Sequence, residues 1–256
     1  MTAAHIIAAL ALPPESRVDQ RVPKKLLVEN SASTAADKRQ INDGVEELLW
    51  VAALKPGTIG VPEYRDATSE VLEIAVLSLA LRPEAKSARL VELIHRAIPY
   101  SVFLVTAQGD TVSISLAHKR RSENEAGKVV LVNTSATGPI ICADLRASGD
   151  TLETVFLASL SLAAQPRTHL LAVYQGWIAC LEAFQSAQIT GRLAIPADLT
   201  VQEARRQALA DHARLQRDIA ILQTQAEKEK QVNRLVVLNL EIKRLEEQLA
   251  AATMNL

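Results

Sequence analysis

The chain has 256 residues, enough for one large domain or one domain with an appendage. Its net charge of -1 sets up no global field toward nucleic acid or an acidic membrane, and 3% aromatic residues argue against a stacking platform for single strands. Hydrophobic residues at 48% and charged residues at 22% are ordinary for a globular protein, and no apolar run is long enough to span a bilayer.

The opening apolar run, Ile6 to Leu12, lacks a basic flank, which favours a short packed helix over a signal peptide. Pro13-Pro14 ends it. Residues 15–33 are polar and irregular, with Val22-Pro23-Lys24-Lys25-Leu26-Leu27-Val28 as an edge strand or a basic loop. From Asp37 the spacing of Ile41, Val45, Leu48 and Leu49 predicts a helix that stops before Lys55-Pro56-Gly57.

A sheet should follow. Val71 to Leu81 reads as a strand, although its Leu and Ala content also suits a helix. Pro83-Glu84 opens a helix with Leu90, Leu93, Ile94 and Ala97 on its dry stripe, and Pro99 closes it. Val102 to Val105 has the continuous apolar character of a central strand. After a tight turn at Gly109-Asp110, Val112, Ile114 and Leu116 alternate with Thr111, Ser113 and Ser115, which predicts one dry face and one wet face. A turn over Asn124–Gly127 leads to a strand at Val129–Val132, and Ile140-Ile141-Cys142 adds a fifth.

Two helices then cover the sheet. Asp150 can cap the first, with Leu152, Val155, Phe156, Ser159, Leu160 and Ala163 at helical spacing. The second carries Leu170, Val173, Tyr174, Trp177, Ile178, Leu181 and Phe184 and closes at Gly191. Trp50 and Trp177 read as core. The fold class is α+β, a mostly antiparallel sheet covered by helices, with a domain over 1–195 and a long C-terminal helix over 198–252.

That helix is the most informative feature. From Ala197 onward there is no Gly or Pro, and Thr200-Val-Gln-Glu203 has the form of a capping box. An unbroken helix of about fifty residues would reach ~75 Å at about 1.5 Å per residue, too long to bury on one small domain. Leu215, Ile219, Leu222 and Ala226 keep a 4-3-4 spacing, as do Leu235, Leu238, Ile242, Leu245 and Leu249. The two stripes fall out of register across the polar segment Lys228–Arg234. Either the chain turns back there as a hairpin or the partner face rotates; the lack of Gly and Pro favours a continuous or mildly bent helix. Such a seam pairs with a second copy or docks another protein. Its candidate contact residues are Leu235, Leu238, Ile242 and Leu245 for affinity, and Lys228, Lys230, Gln231, Asn233, Arg234 and Asn239 for selectivity. A buried Asn in such a seam can fix register; the bland alternative is an ordinary solvated face.

His118-Lys119-Arg120-Arg121 clusters donors at a strand exit, where they could grip phosphates or simply form a charged hairpin tip. Lys119, Arg120 and Arg121 are therefore the candidate nucleic-acid contacts. A metal-dependent nuclease needs carboxylates on adjacent strand ends beside a lysine. Glu70, Glu73, Asp110, Asp144 and Lys119 are available, but no acidic residue stands two positions before a Lys in an apolar strand. His5, His95, His118, His169 and His212 are scattered and match no zinc motif. Nine glycines never cluster into a phosphate loop, and no Gly-x-Ser-x-Gly occurs, so no cofactor and no catalytic residue is assigned. Cys142 and Cys180 read as reduced, buried thiols of a cytoplasmic protein, with a disulfide left open.

Glu229-Lys230-Gln231-Val232-Asn233-Arg234, followed by Leu238-Asn239 and Glu241-Ile242-Lys243, resembles the C-terminal signature of the uncharacterised prokaryotic domain-of-unknown-function family four-three-nine-one. Ile98-Pro99-Tyr100, Val22-Pro23-Lys24-Lys25 and Leu49-Trp50-Val51-Ala52-Ala53-Leu54-Lys55-Pro56 resemble it as well, in consistent order. Members of that family are often encoded beside DNA helicases and DNA methyltransferases in restriction or anti-phage loci. The resemblance implies a partner class and carries over no catalytic residue. The expectation is a non-catalytic adaptor of a DNA-processing system that docks through its C-terminal helix. The alternatives are a metal-dependent nuclease and a stand-alone nucleic-acid binder.

Overall fold

A computed structural model describes residues 2–31, 34–66, 70–117, 119–121, 129–131, 141–145 and 151–256, with the backbone alone for 119–121, 129–131, 141–142 and 151. Two compact units divide at residues 181 and 182. The fold class is α+β, with a mostly antiparallel sheet covered by helices and a long helical C-terminal segment.

In the first unit, helix α1 (Ala3–Ala9) is capped by Thr2 and runs into Ala11, which holds a left-handed backbone at φ 48° before Pro13. Strand β1 (Arg17–Arg21) and helix α2 (Lys24–Ser31) follow. The segment Val22–Val28 is thus neither an edge strand nor a loop. Val22 donates to the Leu48 carbonyl, and Pro23 sets the entry to α2.

Helix α3 (Ala35–Gly44) ends well before the expected stop, and Val45–Leu54 forms strand β2. Two register shifts explain the misreading. Between Val45 and Glu47, and again between Trp50 and Ala52, an extra residue interrupts pairing with the next strand. The first bulge moves the inward position by one, so Val45 and Leu48 face the same core three residues apart; Trp50 keeps that face, and Val51, the extra residue of the second bulge, is buried too. That spacing imitates a helix. Gly44 permits the change of direction: a Cβ there would stand 2.8 Å from Leu90 Cδ1 and 3.1 Å from Ala85 Cβ.

After the one-turn helix α4 (Pro56–Ile59) come the short pair β3 (Tyr64–Arg65) and β4 (Glu70–Val71), then strand β5 (Ile74–Leu81). Helix α5 (Ser87–Ala97) crosses to β6 (Ser101–Gln108), and Gly109, at φ 56°, turns the chain into β7 (Thr111–Leu116). The main sheet has the order β1-β2-β5-β6-β7-β10, where β10 is Ile141–Leu145. Every neighbour is antiparallel except β5 and β6, which α5 joins in parallel. The expected strand at Val129 is β9 (Val129–Leu131), but it pairs with β8 (Lys119–Arg121) outside the main sheet. The expected turn at Asn124–Gly127 and the cap at Asp150 lie outside the described residues.

Both faces of the sheet are covered. On one, Ala75, Leu77, Leu79, Val102 and Leu104 meet Leu90, Leu93 and Ile94 of α5, with Leu27 and Ile41 beside them. Each valine, leucine or isoleucine among them contributes roughly 1.5–3 kcal/mol on burial. Ser115 points to this side and sits 3.0 Å from His95 Nε2 in the interior. The face expected to be wet on β7 is dry only at its far end: Thr111 is exposed and Ser113 half-buried, while Ser115 is buried and satisfied by a histidine rather than by water. On the other face, Phe103 meets Trp177 edge-on at 5.1 Å. The Tyr174 hydroxyl donates to the Val102 carbonyl at 2.9 Å and accepts from Ala117 N–H at 2.9 Å. Tyr174 and Trp177 belong to the first half of helix α7 (Leu170–Thr190), which follows α6 (Thr151–Ser159). Trp177 Nε1 donates to the Leu160 carbonyl at 2.8 Å, fixing α7 to the end of α6.

The second unit begins with the last turns of α7, which end at Gly191 with φ 76°. Helix α8 (Leu199–Lys228) is capped by Asp198, which accepts from Thr200 N–H at 2.8 Å. The cap is thus two residues upstream of the expected Thr200. Glu229 and Gln231 then take extended backbone, ψ 130° and 118°, before α9 (Val232–Met254). The C-terminal segment is two helices packed on each other, rather than one rod. Glu229 makes the break tolerable, since its Oε1 accepts from both Lys230 N–H and Gln231 N–H at 2.8 Å. The helices run antiparallel. Arg206, near the start of α8, donates to Glu182, while Leu256, just past α9, accepts from Ser186 Oγ at 2.9 Å. Glu182 and Ser186 are one turn apart on α7.

Candidate partner-docking site

Helix α9 has two unlike faces. Its inward face carries the predicted ladder: Ile242 is buried, and Leu235, Leu238, Leu245 and Leu249 are half-buried. Opposite them on α8, Leu215 and Ile219 are buried and Leu222 and Ala226 half-buried. The two stripes of the sequence are real, and each meets the other inside this chain. Back-folding closes the seam because the three-residue break costs little backbone hydrogen bonding while two apolar stripes leave water.

The outward face was not foreseen. Val232, Val236, Val237 and Leu240 are 72%, 50%, 65% and 64% exposed. Val232, Val236 and Leu240 repeat every four residues, a second stripe overshadowed in the sequence by the more regular leucines. It lies beside the polar tip. Lys228, Lys230, Gln231, Asn233 and Arg234 are exposed there, and Asn239 is exposed farther along α9. Neither asparagine is buried in the seam, so neither fixes its register. Lys243 and Arg244 stand where the outer stripe ends.

The other candidate groups are dispersed. Lys119, Arg120 and Arg121 lie on β8 opposite Leu131, Val130 and Val129; their side chains, and His118, lie outside what is described. Lys24 donates to the Asn42 carbonyl. Glu73 is buried and paired with Lys55 at 3.1 Å, and Glu70 with Arg65 at 2.9 Å, both near the start of β5. Asp110 sits in the turn after β6, at the opposite end of the strands, and Asp144 lies on β10 across from Ser113. Among the described residues no three His, Cys, Asp or Glu groups gather as a metal site. His169 meets the Tyr64 ring at 4.5 Å with the planes tilted by 41°, His5 bonds to Thr2, and His212 is buried on α8. Cys180 is a free, buried thiol, and burial pushes its pKa up, away from nucleophilic use. Among the described residues no helix is long and apolar enough to cross a membrane.

Of the motifs that carry the family resemblance, Val22–Lys25 joins β1 to α2, Ile98-Pro99-Tyr100 joins α5 to β6, and Glu229–Arg234 is the hairpin tip; Leu49–Pro56 runs along β2 into α4, and Leu238-Asn239 and Glu241–Lys243 lie within α9. The family model described as Domain of unknown function (DUF4391) matches residues 10–249. The chain belongs to this family. The DUF4391 match begins at the end of α1 and reaches into α9, so it takes in both units. No curated protein and no solved structure matches the chain.

Proposed function

We propose that this chain is a non-catalytic adaptor subunit of a bacterial DNA-processing system, of the restriction or anti-phage kind, working in the cytoplasm. It docks a DNA helicase or DNA methyltransferase through the C-terminal helical hairpin. The observation that carries the docking role is the outer face of α9, where four aliphatic side chains stand in water on a helix whose inner face is already closed. Covering them supplies about 1–2 kcal/mol each, the scale of a small interface centre. The exposed polar tip beside them supplies selectivity. The DNA-processing setting rests on the family resemblance.

The test is co-purification of the full chain with the helicase or methyltransferase encoded beside it, followed by titration calorimetry. A one-to-one complex that is lost on the double change Val236→Glu and Leu240→Glu is expected. Absence of any complex with either partner overturns the adaptor. Magnesium-dependent plasmid cleavage abolished by Asp144→Ala would put a nuclease in its place.

A further inference from the structure

The charge around the outer face of α9 specifies what can sit on it. Between Lys228 and Arg244 there are five cations, Lys228, Lys230, Arg234, Lys243 and Arg244, against two carboxylates, Glu229 and Glu241; the exposed carboxylates of Glu227 and of Glu246 and Glu247 lie just outside this stretch, beyond the cations at either end. Glu229 is committed to two backbone N–H groups at the tip. Glu241 reaches Arg244 only at 3.9 Å. Among the described residues Lys228, Lys230, Arg234 and Lys243 enter no ion pair.

The arrangement is ordered as well as positive. Lys228 and Lys230 precede Val232. Lys243 follows Val236 by seven residues, and Arg244 follows Leu240 by four, so both continue the apolar rows on the helix surface. An apolar stripe of about 13 Å is thus bracketed by cations at both ends.

This bracketing argues against a second copy. Packed parallel, two such faces set Lys228 and Lys230 on their own counterparts. Packed antiparallel, they set Lys228 and Lys230 on Lys243 and Arg244. Cation meets cation either way, which costs association. A lipid surface is a poorer fit, since residues 191–256 contain no Trp, Tyr or Phe to anchor at an interface. Nucleic acid would use the cations and leave the valines in water.

Resting on the adaptor reading and deepening it, we infer that the occupant is an acidic amphipathic helix of the partner protein, with apolar residues at i, i+3/i+4 and i+7 and carboxylates at both ends of that stripe. The helix lies along Val232–Leu240 and its end carboxylates meet Lys228/Lys230 and Lys243/Arg244. This is helix-in-groove recognition with the selectivity placed in the end charges.

The test uses the full chain and two fluorescein-labelled synthetic helical peptides of about four turns. They share one apolar stripe; one ends in glutamates and the other in lysines. In fluorescence anisotropy at low salt the glutamate peptide should bind at least about tenfold more tightly. Leu240→Glu should weaken it about tenfold while leaving helical content by circular dichroism unchanged. The double change Lys243→Glu and Arg244→Glu should reverse the preference toward the lysine peptide. Equal affinity for the two peptides, no affinity for either, or a preference unmoved by the charge reversal overturns the inference. These outcomes leave the adaptor reading standing if the helicase or methyltransferase still co-purifies. Light scattering that gives a dimer dispersed by Leu240→Glu would assign the face to a second copy. Sedimentation with phosphatidylserine vesicles, lost on the same change, would assign it to a membrane. Either result overturns the inference.

Discussion

The two units of this chain handle apolar surface in opposite ways. In the sheet unit, a six-stranded layer buries side chains on both faces, and Ser115 on its inner side is paired with His95. In the C-terminal unit, α8 and α9 share one seam, and a two-helix pair has only one inside. Whatever apolar residues lie off that seam remain in water, and on α9 they form a stripe. A layered sheet can absorb extra hydrophobic residues, whereas a hairpin displays them. Display, rather than storage, is what a docking element needs.

The sharpest way to break this contrast is to remove core volume from each unit. Trp177→Ala opens a void against Phe103 and leaves the Leu160 carbonyl without its donor, so denaturant unfolding should show a loss of about 3–5 kcal/mol. Leu215→Ala, in the thin seam, should cost less, about 2 kcal/mol, because a two-helix pair collapses more readily into the gap. A seam change that costs as much as the sheet change would mean that the second unit has a deeper core than its exposure indicates.

The outer stripe sharpens the contrast from the other side. Leu240→Glu should move stability by no more than about 0.5 kcal/mol, since the side chain is already in water. The same change should remove partner binding in calorimetry. A large loss of stability with binding intact would return the stripe to a structural role.

The smallest effect concerns acid. Burial holds the Glu182 carboxyl above the usual carboxylate range, although Arg206 and then Arg205 pull it down. The folded C-terminal unit therefore binds that proton more tightly than the unfolded chain. The resulting stability is complete below the unfolded value and is lost as pH rises through the raised folded one. Thermal unfolding followed across that window should show wild type losing stability relative to Glu182→Gln as pH rises. The opposite slope would mean that the Arg206 pairing outweighs burial.

Much of the sheet unit was legible because its signals are local. The continuous run Val102–Val105, the Gly109-Asp110 turn and the stripe Leu90–Leu93–Ile94–Ala97 each name their element without reference to the rest. Val45–Leu54 misled because its two bulges exist only through pairing with β5. A strand with a shifted inward face carries a helical spacing, and periodicity alone cannot separate the two. Ser115 misled for a related reason: alternation reveals a dry face but not that α5 covers the other one.

In the C-terminal hairpin the ladder Leu235, Leu238, Ile242, Leu245 and Leu249 was plain, as was the break at Lys228–Arg234. The sequence alone determined the family, the α+β class and a C-terminal segment with more apolar surface than one globule covers. Tertiary structure decided which of its two stripes is used up. With no Gly or Pro at the break, backbone preference favours one helix, and only the gain from closing α8 on α9, with Glu229 bonding the freed N–H groups, tips the chain into a hairpin. That choice lies in contacts between residues far apart along the chain, and it leaves Val232, Val236, Val237 and Leu240, rather than the ladder from Leu235 to Leu249, facing out.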